Sequence, residues 1–125
     1  MYDHTISQLP EQNPRFHWFK IGICGKQPHP NLKDLETLFE ENKHTLEKNM
    51  ILKLDAEHWE WPALNDLSEK TLNQFKYILV EYHFYDKISN ETKLYYRVMK
   101  KLATTHQSFY ARFNGRQKSY NSIWK

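Results

Sequence analysis

Two short apolar runs constrain the fold more than any other feature of this sequence. Met50-Ile51-Leu52-Lys53-Leu54 and Tyr77-Ile78-Leu79-Val80 are too short for independent helices and are apolar at nearly every position. Strands of this kind are expected where helices cover both faces of a sheet. Extended and helical patterns alternate around them. Arg15 to Ile23 reads as a strand carrying Phe16, Trp18, Phe19, Ile21 and Ile23. Asn31 reads as an N-cap, and Leu32, Leu35, Leu38 and Phe39 then recur at helical spacing to about Lys43. Pro62 suits the first turn of a helix with Leu64 and Leu67 on its inner face. Ser89 reads as the cap of a long helix whose inner face is Leu94, Tyr95, Val98, Met99 and Leu102. His106 to Phe113 is the last predicted strand, closed by an Asn114-Gly115 turn. Strands alternating with helices predict crossover connections, hence an α/β fold with a largely parallel sheet and flanking helices.

Composition narrows the function classes. The 125 residues fit one domain. Three glycines leave no room for a P-loop or a G-x-G-x-x-G fingerprint within them. A single cysteine, Cys24, excludes an internal disulfide and a multi-cysteine zinc site. No apolar run approaches the roughly 20 residues that span a bilayer. Met1-Tyr2-Asp3-His4 does not open a signal peptide, so a cytoplasmic protein is the expectation. The net charge is only +3, but Thr92 to Lys125 carries eight Lys or Arg and no acid. That basic stretch could face an anionic substrate, a nucleic acid or only water; a solvated helix face and a polar tail is the expectation, and no nucleic-acid partner is expected.

Chemistry concentrates where the apolar runs stop. In open α/β sheets, ligands bind outside the carboxyl ends of the strands. The first run stops at Asp55-Ala56-Glu57-His58-Trp59-Glu60-Trp61, and the second continues into Glu81-Tyr82-His83. Alternation sets Asp55 with Glu57, and Glu81 with His83, on common sides. Parallel neighbouring strands would bring these groups to one rim. Three readings stay open. The rim is a site for general acid–base chemistry or substrate binding; it is a divalent metal site built from the same Asp, Glu and His side chains; or it caps the following helix and faces water, gaining about 0.3–1 kcal/mol from the helix dipole. No H-E-x-x-H or Cys-rich pattern assigns a metal. Trp59 and Trp61 either pack the helix start on the sheet or offer a stacking surface. Cys24 reads as a small buried hydrophobe. His4, His17, His29, His44 and His106 are scattered, as structural or exposed histidines are.

Ile51-Leu52-Lys53-Leu54-Asp55-Ala56-Glu57-His58-Trp59-Glu60-Trp61 resembles the I-L-K-I-D-x-E-G-x-E-W segment of FkbM-type and related S-adenosylmethionine-dependent methyltransferases. Ile78-Leu79-Val80-Glu81-Tyr82-His83 resembles their next strand, I-x-x-E-x-H. Tyr2-Asp3-His4-Thr5 is similar to the F-D-x-T that ends their second strand, and Lys20-Ile21-Gly22-Ile23 to the x-x-G-I after their third. The four matches are collinear. The resemblance implies a Rossmann-like sheet and methyl transfer from S-adenosylmethionine to an oxygen or nitrogen of a small-molecule or glycan-type acceptor. It implies that Asp3 binds the cofactor ribose, that Asp55 and Glu57 lie beside the transfer site, and that Glu81 and His83 line the substrate side. Glu60 and Trp61 would begin the next helix.

Two departures shape the expectations. His58 stands where the family pattern has glycine, which permits close backbone approach. The family's first strand and Gly-rich cofactor loop have no counterpart among these residues. In the family strand order 3-2-1-4-5-7-6, strand one would be absent, and so would the antiparallel strand seven. The expectation is an incomplete methyltransferase domain that binds cofactor weakly or not at all by itself. The alternative is a non-catalytic remnant or partner subunit whose sheet is completed by another chain or a homo-oligomer. A metal-dependent enzyme using the Asp/Glu/His rim is a further alternative.

Overall fold

A computed structural model describes residues 1–27, 29–83, 91–115 and 119–125. β4, Phe75–His83, is the spine of the larger sheet. Its residues alternate between buried Ile78, Val80 and Tyr82 and the half-buried Tyr77, Leu79 and Glu81, the period of two that an extended chain imposes. β3, Met50–Leu54, lies parallel to it, with Leu52 opposite Ile78 and Leu54 opposite Val80. β6, Ser119–Trp124, runs antiparallel on the other side, with Trp124 opposite Ile78 and Ser122 opposite Val80. β5, Ser108–Asn114, is antiparallel to β6, so the order is β3-β4-β6-β5. The sheet is therefore mixed, not largely parallel. β6 is also a strand that the sequence reading lacked, and its presence overturns the expected absence of a last antiparallel strand. Two of its buried residues are serines, Ser122 on the core side and Ser119 on the side of Glu81, too polar to register as an apolar strand.

Helices join the strands on one side. α2, Glu60–Asp66, follows β3, and the short α3, Glu69–Leu72, leads back into β4. Ser68 caps α3 by accepting from the Thr71 amide. α4, Glu91–Thr105, leads into β5. Trp61, Leu64, Val98 and Leu102 of these helices share one core with Leu54, Ile78, Val80, Tyr82 and Trp124 of the sheet. Lys101 reaches across from α4 and donates to the carbonyls of Leu64, Asn65 and Leu67 at the end of α2, groups a helix C-terminus leaves without partners. Helical cover on both faces was expected. Among the described residues, the opposite face instead lines an open groove of about 870 Å³, with Lys53, Leu79, Glu81, Arg112, Asn121 and Ile123 on its walls.

The N-terminal part is thinner. The predicted strand over 15–23 reduces to β1, Gly22–Cys24, paired parallel with β2, Leu32–Asp34. Tyr2 and Phe19 form an isolated parallel bridge, with Asp3 N–H donating to Phe19 O at 3.2 Å. The helix expected from Leu32 starts three residues later as α1, Leu35–Glu41, because Asp34 and not Asn31 is its cap: the Asp34 carboxylate accepts from the Thr37 amide at 3.1 Å. The Ser89 cap predicted for the long helix lies outside the described residues. Among the described residues, no helix is long and apolar enough to cross a membrane.

Candidate functional site

The turn between β3 and α2 is held by one side chain. Glu60 opens α2 and is fully buried. Its carboxylate accepts the Ala56 amide at 2.6 Å and the His58 amide at 3.1 Å, folding residues 55–59 back over the helix start. The turn is tight enough to drive two non-glycine residues to positive φ, Glu57 at 43° and His58 at 91°. A residue with a Cβ is strained in that region.

The same carboxylate meets β4. Glu60 Oε1 lies 2.9 Å from Nδ1 of His83, the last residue of the strand, which is 8% exposed. Trp61 Nε1 donates to His83 O at 3.2 Å, while its ring stacks on Tyr82 with centroids 4.1 Å apart. A carboxylate only accepts, so the proton of the neutral imidazole resides on Nδ1 and Nε2 faces outward. There it lies 3.7 Å from Glu57 Oε1 and 3.9 Å from Asp55 Oδ1. Donor atoms of Asp55, Glu57 and His83 all fall within 4.8 Å of one another. Burial alone would lower the His83 pKa. The hydrogen bond and charge of Glu60, then the charges of Glu57 and Asp55, outweigh it and raise the value. Asp55 is also ion-paired with Lys53 through its other oxygen.

Asp3 comes to this neighbourhood from the opposite end of the chain. A cavity of about 330 Å³ is lined by Asp3, Thr5, Gly22, Asp55, Glu57 and Trp59. Asp3 Oδ1 accepts from the Thr5 hydroxyl at 2.6 Å and the Thr5 amide at 2.8 Å, and these bonds hold its pKa below the usual value. The Leu32 and His4 side chains pack directly against Gly22, so a Cβ there would displace both.

The predicted site residues therefore divide. Asp55, Glu57 and His83 form one cluster, and Asp3 borders the same cavity as the two carboxylates. Glu81 does not join them. Its carboxylate accepts from the Ser119 hydroxyl at 2.7 Å and borders the open groove on the uncovered face. Glu60 is the functional group that the sequence reading passed over as a helix start. Its spacing, five residues past Asp55, carried no sign that it would hold the imidazole of a strand twenty residues on. Cys24 is buried, and burial followed by Asp34 and Asp66 raises its thiol pKa, as suits a packing residue. His106 is likewise structural, with Nε2 3.1 Å from Phe75 O.

No family model, curated protein or solved structure matches this chain.

Proposed function

We propose that these residues form the acceptor side of a Rossmann-like, S-adenosylmethionine-dependent methyltransferase domain. The observation that carries the reading is the strand order. β3-β4-β6-β5, with β6 alone antiparallel, repeats the 4-5-7-6 stretch of the family order. The parallel bridge between Tyr2 and Phe19 fits the neighbouring second and third strands. The positive φ of His58 falls at the position where the family pattern has glycine.

The residues present fit one end of the cofactor. Asp3 offers a carboxylate to ribose hydroxyls, and Gly22 keeps the cavity wall close to backbone. The amino-acid end has no Gly-rich cradle among the three glycines of the sequence. S-adenosylmethionine, when bound, supplies an electrophilic methyl group. The residues of this chain position the acceptor and handle its proton. His83 Nε2 takes that proton, Glu60 steadies the imidazolium from behind, and Asp55 and Glu57 stabilise it from the cavity side.

A second reading has its own support. Among the described residues no strand pairs with the outer edge of β3; between it and Met1-Tyr2 lies a mostly apolar slot of about 410 Å³, and Ile51 of β3 is 66% exposed. An unpaired edge of this kind accepts a strand. The slot suits a strand from a partner chain, which would make this chain a subunit of a composite enzyme.

An amide-resolved NMR titration with S-adenosylhomocysteine tests the reading. The expected outcome is fast-exchange shifts at Asp3, Thr5, Gly22 and residues 55–57, saturating in the millimolar range. No shifts, or shifts only elsewhere, would overturn the assignment to this family. Saturation at micromolar ligand would overturn the incomplete cofactor site.

A further inference from the structure

We infer that Asp55, Glu57 and His83 form a mononuclear site for a first-row divalent cation of the Mn²⁺ or Zn²⁺ kind, open to the cavity that Asp3 borders. The donor set comes first. One imidazole nitrogen and two carboxylate oxygens lie within 4.8 Å of one another. Bond lengths of about 2.1 Å around a metal place neighbouring donors about 3.0–3.4 Å apart. The observed 3.7 and 3.9 Å from His83 Nε2 exceed that by less than about an ångström. Asp55 and Glu57 are exposed side chains, so rotation about their own bonds closes the gap without moving the backbone.

The support behind the imidazole is the second observation, and it lies outside the cluster. His83 is nine-tenths buried and does not rotate freely. Its Nδ1 is held by Glu60, a fully buried carboxylate that is itself fixed by two amides. A carboxylate behind the ring sets the tautomer and aims the other nitrogen, which is the arrangement that metal-ligating histidines use. Burying a carboxylate for packing alone is costly. Here the buried charge orients Nε2 toward two further carboxylates.

The donors also select the cation. Imidazole with carboxylates, and no thiolate, suits Mn²⁺ or Zn²⁺. Ca²⁺ takes six to eight oxygens, more than this rim presents. Three protein ligands leave coordination positions open, and the adjacent cavity of about 330 Å³ can bring a hydroxyl or carboxylate oxygen of a substrate to them. With a cation bound, His83 Nε2 is a ligand and no longer a base, so the loaded site would acidify a bound hydroxyl through the metal instead. The metal-free chain is the state in which Nε2 takes a proton, and the site itself does not depend on methyl transfer.

Calorimetric titration of the metal-free full chain with MnCl₂ and, separately, ZnCl₂ tests it. The expected result is one saturable site per chain at micromolar metal, with CaCl₂ weaker by about tenfold or more. Asp55→Asn and Glu57→Gln, both exposed and therefore expected to fold, each weaken binding about tenfold or more. Glu47→Gln, an exposed acid far from the rim in sequence, binds as the parent does. Absence of saturable binding by both metals overturns the site, as does undiminished binding by Asp55→Asn and Glu57→Gln. The titrations contain no S-adenosylmethionine, so failure here and failure of the methyltransferase reading are separate results.

Discussion

The two faces of the four-stranded sheet are built from adjacent residues of the same strands and end in opposite environments. Ile78, Val80 and Tyr82 lie under α2 and α4 and are at most 3% exposed. Leu79 and Glu81, between them in the chain, border the open groove with Arg112 and Asn121. The difference shows where this protein obtains its stability. Among the described residues, apolar side chains are largely removed from water on one face and at most half-buried on the other, and that gain scales with area at about 25 cal/mol per Å². The uncovered face retains apolar residues, Ile51, Leu79 and Ile123, that a covering layer would bury.

The largest expected effect tests the contrast directly. Ile78→Ala on the covered face should cost about 3 kcal/mol, since a closely packed site leaves a cavity. Leu79→Ala, one residue on, should cost about 1 kcal/mol or less, because its side chain is already half in water. Urea denaturation of both variants measures the difference, and equal losses would break the comparison.

A smaller effect concerns how the covering layer is tied together. Glu36 of α1 accepts from the Ser68 amide at 2.6 Å and the Thr71 hydroxyl at 2.8 Å. Burial alone would raise its pKa, but the bonds from Ser68 and Thr71 outweigh burial and lower it below 4.5. A carboxylate with a depressed folded pKa contributes stability that is full above its unfolded pKa and is lost as pH falls through the folded value. Glu36→Gln should therefore lower stability by about 1.5 kcal/mol at pH 7. The gap from the parent should narrow below pH 4.5, as acid denaturation curves of the two proteins would record.

The smallest effect is a gain. His58→Gly removes the Cβ from a backbone held at φ 91° and should stabilise the chain by about 1 kcal/mol. Thermal unfolding of the variant reads this out. A rise would place stored strain at the rim, away from both faces. No change would mean that the His58 side chain makes compensating contacts.

Much of this architecture was legible in the sequence. α2 and the long helix emerged from apolar spacing, because each packs one face on the core; β3 and β4 emerged from unbroken apolar runs, although the more buried residues of each largely alternate with less buried ones. What was not legible depended on partners distant in the chain. Leu32 looked helical by spacing, yet it pairs with Gly22 in β2, and Asp34 outcompetes Asn31 as the cap. β6 was missed because serines serve as its buried residues, one of them donating to Glu81. At the rim, residue types and strand ends pointed to Asp55, Glu57 and His83 together. The buried Glu60–His83 bond and the separation of Glu81 required the fold.

The placement of β6 between β4 and β5 also dictates an order of assembly. Among the described residues, β5 is hydrogen-bonded to the sheet through β6 alone, so it has no docking edge until β6 is available. The β5–β6 hairpin closes locally, while Trp124 must reach Ile78 across the intervening α4. Local contacts form at little entropic cost and distant ones later. The hairpin is therefore expected to zip first and arrive on β4 as one unit. During synthesis β4 would wait with an exposed edge until Trp124 had cleared the ribosome, a window in which a chaperone or an unrelated strand could occupy its place.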